Sequence, residues 1–305
     1  RKKIYKTNKL MKKILITGGT GFIGSHLAEK CVAKGYKVTV FDRYNPNYNL
    51  GNLSDSKYKN KINFIFGDIR DYDSVNNAVS NNDIVFHLAA LIGIPYSYIS
   101  PNAYIKTNVE GTYNVLESCR KNKTSKVVIT STSEVYGSAN YIPMDEKHPL
   151  QPQSPYSASK ISADNLALSY FYSFNSPVSI IRPFNTYGPR QSQRAIIPTI
   201  INQIENNKDN HIVELGNLNP TRDFSFVDDT CNAFIKFINS KKCLGKPINI
   251  GSGGNISIKE LAKLIAKLMN KKIKFKKSKI RIRPKSSEVQ NLCANIKVAK
   301  KDLGW

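Results

Sequence analysis

The sequence predicts an α/β fold, a Rossmann-type doubly wound parallel sheet with a smaller C-terminal substrate lobe. Three observations predict it. Short, almost continuous apolar segments alternate with amphipathic ones over residues 11–182. A glycine-rich turn, Thr17 to Gly24, separates the first two of them. Beyond Arg182 the alternation loosens and Pro and Gly punctuate the chain. A length of 305 residues with 40% hydrophobic side chains supports a large core and excludes a mostly disordered chain.

Residues 1–10 hold five basic and no acidic residues and precede Met11, so they read as a basic extension outside the folded unit. Strands are expected at 13–17, 37–42, 62–67, 83–88, 126–130 and 178–182. Their β-branched, two-sided apolar character suits burial on both faces. Helices are expected between them at 23–34, 73–80, 102–121 and 155–174. Such alternation gives a parallel sheet with helices on both sides. Residues 11–182 therefore form the first domain, with a strand near 246–251 returning to its sheet. Residues 183–305 form mainly the second lobe, with helices expected at 196–206, 229–239 and 257–270. The chain stops at Leu303-Gly304-Trp305 in mid-pattern, which reads as a truncated lobe.

The formal charge of +24 suggests nucleic acid at first sight. Its distribution argues otherwise. Residues 11–240 carry 23 basic and 19 acidic residues and are nearly balanced, while residues 241–305 carry 18 and 3. The basic residues are 36 Lys and only 10 Arg, alongside 32 Asn, a compositional bias rather than a binding surface. No nucleic-acid or membrane partner is expected, since no apolar run is long enough to span a bilayer. The five cysteines form no CxxC pair and the four histidines are isolated, so no metal site is expected. A reducing, cytoplasmic compartment fits that cysteine usage.

Gly18, Gly21 and Gly24 have the spacing of a dinucleotide turn between a strand and a helix. Backbone N–H groups there can approach a pyrophosphate, and the helix N-terminus favours its charge. Phe22 and Ile23 lie within the same turn. Asp42, ending the second strand, can accept hydrogen bonds from adenosine ribose hydroxyls and would repel a 2′-phosphate, which favours NAD. Arg43 beside it is a counter-signal for NADP. Asp68 and Ile69 end the third strand and could hold adenine. Leu88, Ala89 and Ala90 are small or apolar residues at the end of the fourth, suited to close approach by a cofactor. His87 alone reads as a packed, satisfied histidine.

Tyr156 and Lys160 are four residues apart on one helical face, behind Ser154 as N-cap and Pro155 as first helical residue. A lysine beside a phenol favours the phenolate, which could take a proton from a sugar hydroxyl. Ser131 to Gly137 follows the fifth strand and faces the ligand crevice. If extended, it would place Thr132 and Glu134 on one side. Thr132 could then bind the reacting oxygen, and Glu134 offers a carboxylate that oxidation alone does not need.

On these residues the chain resembles the extended short-chain dehydrogenases/reductases of the NAD-dependent epimerase/dehydratase family. Thr132-Ser133-Glu134 resembles the triplet of GDP-mannose 4,6-dehydratases and UDP-glucuronate decarboxylases. The runs 91–98, 130–137, 145–151, 153–160 and 182–191 are most similar to the nucleotide-sugar 4,6-dehydratases of legionaminic-acid pathways. That resemblance implies NAD as cofactor and a nucleotide-linked N-acetylglucosamine as substrate. It implies that Tyr156, Lys160 and Thr132 serve oxidation at C4, and that Glu134, with Ser133 nearby, serves loss of water across C5 and C6. It implies that Arg222 and Arg283 meet the diphosphate and that Asn185 reaches the diphosphate or sugar; Arg190, one of the few arginines, is a further candidate for that anion. It also implies a homodimer through a four-helix bundle of 102–121 and 155–174. Alternatives are a UDP-glucuronate decarboxylase, a 4-epimerase, and, from another class, a non-catalytic dinucleotide-sensing or RNA-binding relative. The last would have no need of Thr132, Glu134, Tyr156 and Lys160 together. An acidic residue is expected at 294, where the chain has Ala294.

Overall fold

The computed structural model of the chain describes residues 11–206, 212–278 and 284–305. Residues 1–10 and Arg283 lie outside them. The central sheet is built from β1 (Lys13–Thr17), β2 (Lys37–Arg43), β3 (Ile62–Gly67), β4 (Ile84–His87), β5 (Lys126–Thr130) and β6 (Val178–Pro183). Its seventh strand, β11 (Pro247–Ile250), comes from much later in the chain. The order is β11-β6-β5-β4-β1-β2-β3, and every pairing is parallel. The order reverses between β1 and β4, which opens a crevice at their carboxyl ends.

The strands alternate side chains between two apolar layers. Ile14, Ile16, Val40 and Phe86 pack on one face with Leu27 of α1 (Phe22–Ala33) and Phe234 of α8 (Val227–Phe237). Leu15, Phe41, Val85 and Ile129 pack on the other with Val75 of α2 (Tyr72–Val79), Val115 of α5 (Gly111–Lys121) and Ala167 of α6 (Pro155–Phe174). This two-sided burial explains why the strands read as nearly unbroken apolar runs.

A separate apolar cluster joins α7 (Ile196–Asn206), β8 (Ile212–Leu215) and α9 (Ile258–Leu268) through Ile200, Val213, Leu215, Leu261 and Ile265. Three two-stranded sheets accompany it. In these, β7 (Asn185–Tyr187) pairs with β10 (Phe224–Phe226), β9 (Thr221–Arg222) with β12 (Ile256–Ser257), and β8 with β13 (Lys274–Lys277). Asp223 is fully buried and ties these pieces together. Its carboxylate accepts the N–H groups of Ser252, Gly253 and Ala294 and the Ser252 hydroxyl. Gly251 stands against Asp223 and Ala294, so position 294 is a backbone donor to a buried carboxylate.

Three local expectations are corrected. Residues 101–121 are not one regular helix: α4 (Pro101–Tyr104) and α5 are joined by a π-helical segment, Ile105–Glu110. Asn108 within that segment is buried and bonds both the N–H and the carbonyl of Leu91, and the Ser159 hydroxyl. The segment after β5 is not extended, because Ser133–Tyr136 forms a 3-10 turn whose N-cap, Thr132, accepts the Glu134 N–H. An additional helix, α3 (Ile94–Ile99), follows β4, with Pro95 in its first turn.

Candidate active site

The glycine turn is shaped as a cradle. Gly18 has φ +70°, and a Cβ on it would lie 2.8 Å from the Ala89 nitrogen. A Cβ on Gly24 would lie 2.2 Å from the Gly18 carbonyl oxygen, so only glycine lets α1 start this close to β1. Gly21 is the N-cap of α1, has no side-chain cap bond, and no acidic residue occupies the first turn. The first N–H groups of α1 are therefore open to an anion. Phe22 and Ile23 are partly buried against the core behind the turn. Leu88, Ala89 and Ala90 stand half-buried beside it.

Asp42 is half-buried, and its carboxylate accepts the N–H and hydroxyl of Thr20 at 2.9 and 2.6 Å and the Arg43 N–H at 2.8 Å. A carboxylate has about four lone-pair positions, so one acceptor direction remains. Arg43 is exposed. Asp68 is taken by Arg70, whose hydrogen bonds hold its carboxyl well below the ordinary range, at about 2. With three bonds from Arg70 accepted, Asp68, like Asp42, keeps one acceptor direction for the adenine role expected of it. Ile69 is buried, and its carbonyl accepts the Asn114 amide.

His87 is held from both sides. Thr112 donates to the Asn108 carbonyl, so its oxygen accepts from His87 Nε2, while His87 Nδ1 accepts the Thr17 hydroxyl. Burial, with Lys160 adding to it, pushes the imidazole down to about 3, so the ring is neutral. It is a satisfied core histidine that links β1, β4 and the helix after the π-segment.

The side chains expected to be catalytic lie around the carboxyl end of β5. Ser154 and Ser157 form a capping box at the start of α6, with Pro155 in the first turn. Tyr156 and Lys160 are both buried on that helix. Thr132 and Glu134 act directly on the Tyr156 phenol, so the 3-10 turn brings them to the place that an extended segment was expected to reach. Ser133 is buried between them. The electrostatics differ from expectation. Burial pushes the Tyr156 phenol above its ordinary range, with Glu134 adding and the Thr132 hydroxyl opposing. Lys160 donates instead to the Thr130 carbonyl at 2.6 Å, and burial lowers its ammonium to about 8.

The arginines expected to meet an anion divide. Arg222 is buried, donates to the Thr221 carbonyl, and lies 3.6 Å from Glu288. Asn185 is half-buried in β7 and donates its amide to the Asp223 carbonyl. Arg190 is not in this group. It makes a two-pronged pair with Glu29 of α1 at 2.9 and 3.0 Å and also donates to Ser25. The guanidinium expected to meet substrate instead clamps the second lobe to the first. Asp228, in the first turn of α8, pairs with Lys30 of α1.

Sequence reasoning missed Asn108, whose partners lie 17 and 51 residues away. It also missed Asp164, although Tyr156, Lys160 and Asp164 recur at helical spacing on α6.

A family model described as GDP-mannose 4,6 dehydratase matches residues 15–305. A "dTDP-D-glucose 4,6-dehydratase" of Dictyostelium discoideum is 38% identical over 85% of this chain, which spans 63% of that relative's length. A "UDP-N-acetyl-alpha-D-glucosaminuronate decarboxylase" of Bacillus cytotoxicus is 35% identical over 87% of this chain and 83% of its own. The crystal structure of DesIV, a dTDP-glucose 4,6-dehydratase from Streptomyces venezuelae with NAD bound, is similar with a TM-score of 0.85 and 26% identity. That similarity covers 96% of this chain and 91% of the other.

Proposed function

The chain belongs to the GDP-mannose 4,6-dehydratase family, and from that premise we propose that it is an NAD-dependent nucleotide-sugar 4,6-dehydratase. The observation that carries the reading is the meeting of Thr132, Glu134 and Tyr156 at the sheet's carboxyl end. An oxidation and re-reduction at one carbon needs a hydroxyl-binding Thr and a base, but no second acid. A dehydration needs one.

The cradle at Gly18, Gly21 and Gly24, the open N-terminus of α1 and the remaining acceptor on Asp42 fit NAD. A 2′-phosphate would meet the Asp42 charge. NAD, when bound, takes hydride from sugar C4 and returns it at C6. Tyr156 removes the C4 hydroxyl proton, with Thr132 orienting that oxygen. The approach of sugar and cofactor to Lys160 has to reverse the burial effect on the phenol. The resulting 4-ketone acidifies C5, where Glu134 removes the proton. Glu134 then returns a proton to the departing C6 hydroxyl, with Ser133 adjacent. Hydride addition at C6 is completed by a proton at C5, balanced by the one that Tyr156 took from the C4 hydroxyl, and the product is a 4-keto-6-deoxy sugar. Asn185, Arg222 and Arg283 are proposed to hold the diphosphate and sugar, and a nucleotide-linked N-acetylglucosamine is the proposed substrate. The exposed apolar residues Tyr98, Ile99, Ile105, Tyr113, Tyr172 and Phe174 on α3, the 101–121 helix and α6 suit the proposed homodimer bundle.

The test is to incubate the protein with NAD and a panel of UDP-, GDP- and dTDP-linked sugars and to follow products by mass. Loss of one water from an N-acetylglucosamine nucleotide is expected. Release of carbon dioxide from UDP-glucuronate, or interconversion of C4 isomers with no water lost, overturns the reading.

A further inference from the structure

The buried charge centre behind Lys160 has no part in the chemistry described so far. Asp164 is fully buried on α6, one turn beyond Lys160. One of its oxygens, Oδ2, accepts the Ser131 hydroxyl at 2.8 Å and the Arg182 guanidinium at 3.1 and 2.9 Å. The other, Oδ1, is buried and carries no hydrogen bond, and the Thr130 hydroxyl beside this region is in the same position. Lys160 has three donors, of which one is used, on the Thr130 carbonyl. Ser131 thus joins the two halves: its side chain is fixed by Asp164, and its preceding carbonyl holds the ammonium.

We propose that Asp164 is a positioning residue for the Tyr156–Lys160 pair. Its carboxylate serves two cations, Arg182 through Oδ2 and Lys160 on the stripe one turn away. It also fixes the end of β5, from which Thr130 and Thr132 reach the site. The other groups around Lys160 do not supply that charge. On α6 itself the neighbour is Tyr156, a neutral phenol. His87 from β4 is neutral. Arg182 from β6 is a cation, bound at its far side by the Tyr136 hydroxyl. Tyr104 of α4 packs edge-on against Tyr156, and burial raises its phenol, while Tyr96 of α3 packs on Tyr104. Glu117 of α5 is occupied by Arg120 and Tyr170 at the opposite end of α6. Glu134 acts on Tyr156 from the 3-10 turn; Asp164 acts on that phenol more weakly in the same direction and is the group whose charge raises Lys160 against burial.

The inference rests on reading Tyr156 and Lys160 as the oxidising pair, so its test has an arm that needs no turnover. Unfolding free energy is measured against pH on the full chain before NAD is added, for the wild type and Lys160→Met. Above the folded value of Lys160, about 8, the unfolded chain holds a proton that the folded one has released. The wild-type stability relative to Lys160→Met therefore rises from pH 8 toward 10.5. In the Asp164→Asn background that rise is expected to begin about one pH unit lower. Asp164→Glu, which restores the charge, is expected to return it. If Asp164→Asn does not fold, Asp164→Asn/Arg182→Met removes both buried charges and carries the same comparison. An unchanged onset in Asp164→Asn, or one moved as far by Asp164→Glu, overturns the proposal. A purely structural Asp164 would lower stability at every pH and leave the onset in place. In the turnover arm, the alkaline limb of kcat is expected to move with the onset. An onset that moves while the limb stays would separate Lys160 from the chemistry and overturn the positioning role.

Discussion

At the scale of single residues, the decisive contrast is between Glu134 and Asp164. Both are acids beside Tyr156 and Lys160, but Glu134 is half-exposed in the crevice and Asp164 is sealed behind it. Glu134→Gln keeps the size and the cap of the 3-10 turn but cannot take a proton from C5. Rapid mixing with substrate and NAD should still show hydride transfer at C4, while water release falls at least about 100-fold. Water release at the wild-type rate in that variant would remove Glu134 from the mechanism. The contrast was only half legible in the sequence. Glu134 stands in a motif, whereas Asp164 stands among Ser and Ala residues of a helix, and its partners Ser131 and Arg182 come from two different strands.

At the scale of elements, the sheet strands were readable because burial on both faces leaves little room for polar residues, so period and composition agree. Strand bounds at 13–17, 62–67 and 126–130 coincide with β1, β3 and β5. The failures share a cause. No helix was expected between 88 and 102, although Pro95 can occupy the first turn of α3, where a missing N–H costs nothing. The π-segment of 105–110 widens the helix so that Asn108 can meet Leu91 and Ser159, and no local pattern announces partners that far away. Asn108→Leu fits the volume but strands the Leu91 N–H and carbonyl. It should cost about 2–4 kcal/mol in urea unfolding. It should also lower kcat more than it raises KM, because Ser159, its partner, hydrogen-bonds the Tyr156 carbonyl. A loss below about 0.5 kcal/mol would show that the segment is not held by this residue.

At the scale of the whole molecule, Arg190 is the clearest departure from expectation. An arginine in a substrate-lobe motif was read toward an anionic ligand, and its partner proved to be Glu29, 161 residues away. Burial alone would raise the Glu29 carboxyl, but the hydrogen bonds from Arg190 and Ser56 bring it below its ordinary range. The clamp therefore stabilises above the ordinary carboxylate range and is lost as pH falls through the lowered value. A double-mutant cycle of Arg190→Met and Glu29→Gln should give a coupling of about 1 kcal/mol at neutral pH, shrinking toward pH 3. A coupling of zero at neutral pH would leave that hold to the other contacts of α1, such as Lys30 with Asp228. The +24 charge changes meaning at this scale too. Among the described arginines, Arg190 and Arg182 are spent inside the protein, on Glu29 and Asp164.

The late arrival of β11 has a consequence for how the protein is made. β6 is buried along its whole length, and one of its edges is covered only by β11. A ribosome adding about 5–20 residues per second delivers Val178–Pro183 several seconds before Pro247–Ile250. During that interval the nascent chain presents an unpaired, largely apolar strand edge to its neighbours. The sheet that frames the active site is thus closed by its last strand only after most of the second lobe has been translated, which makes that interval the aggregation-prone step of its biosynthesis.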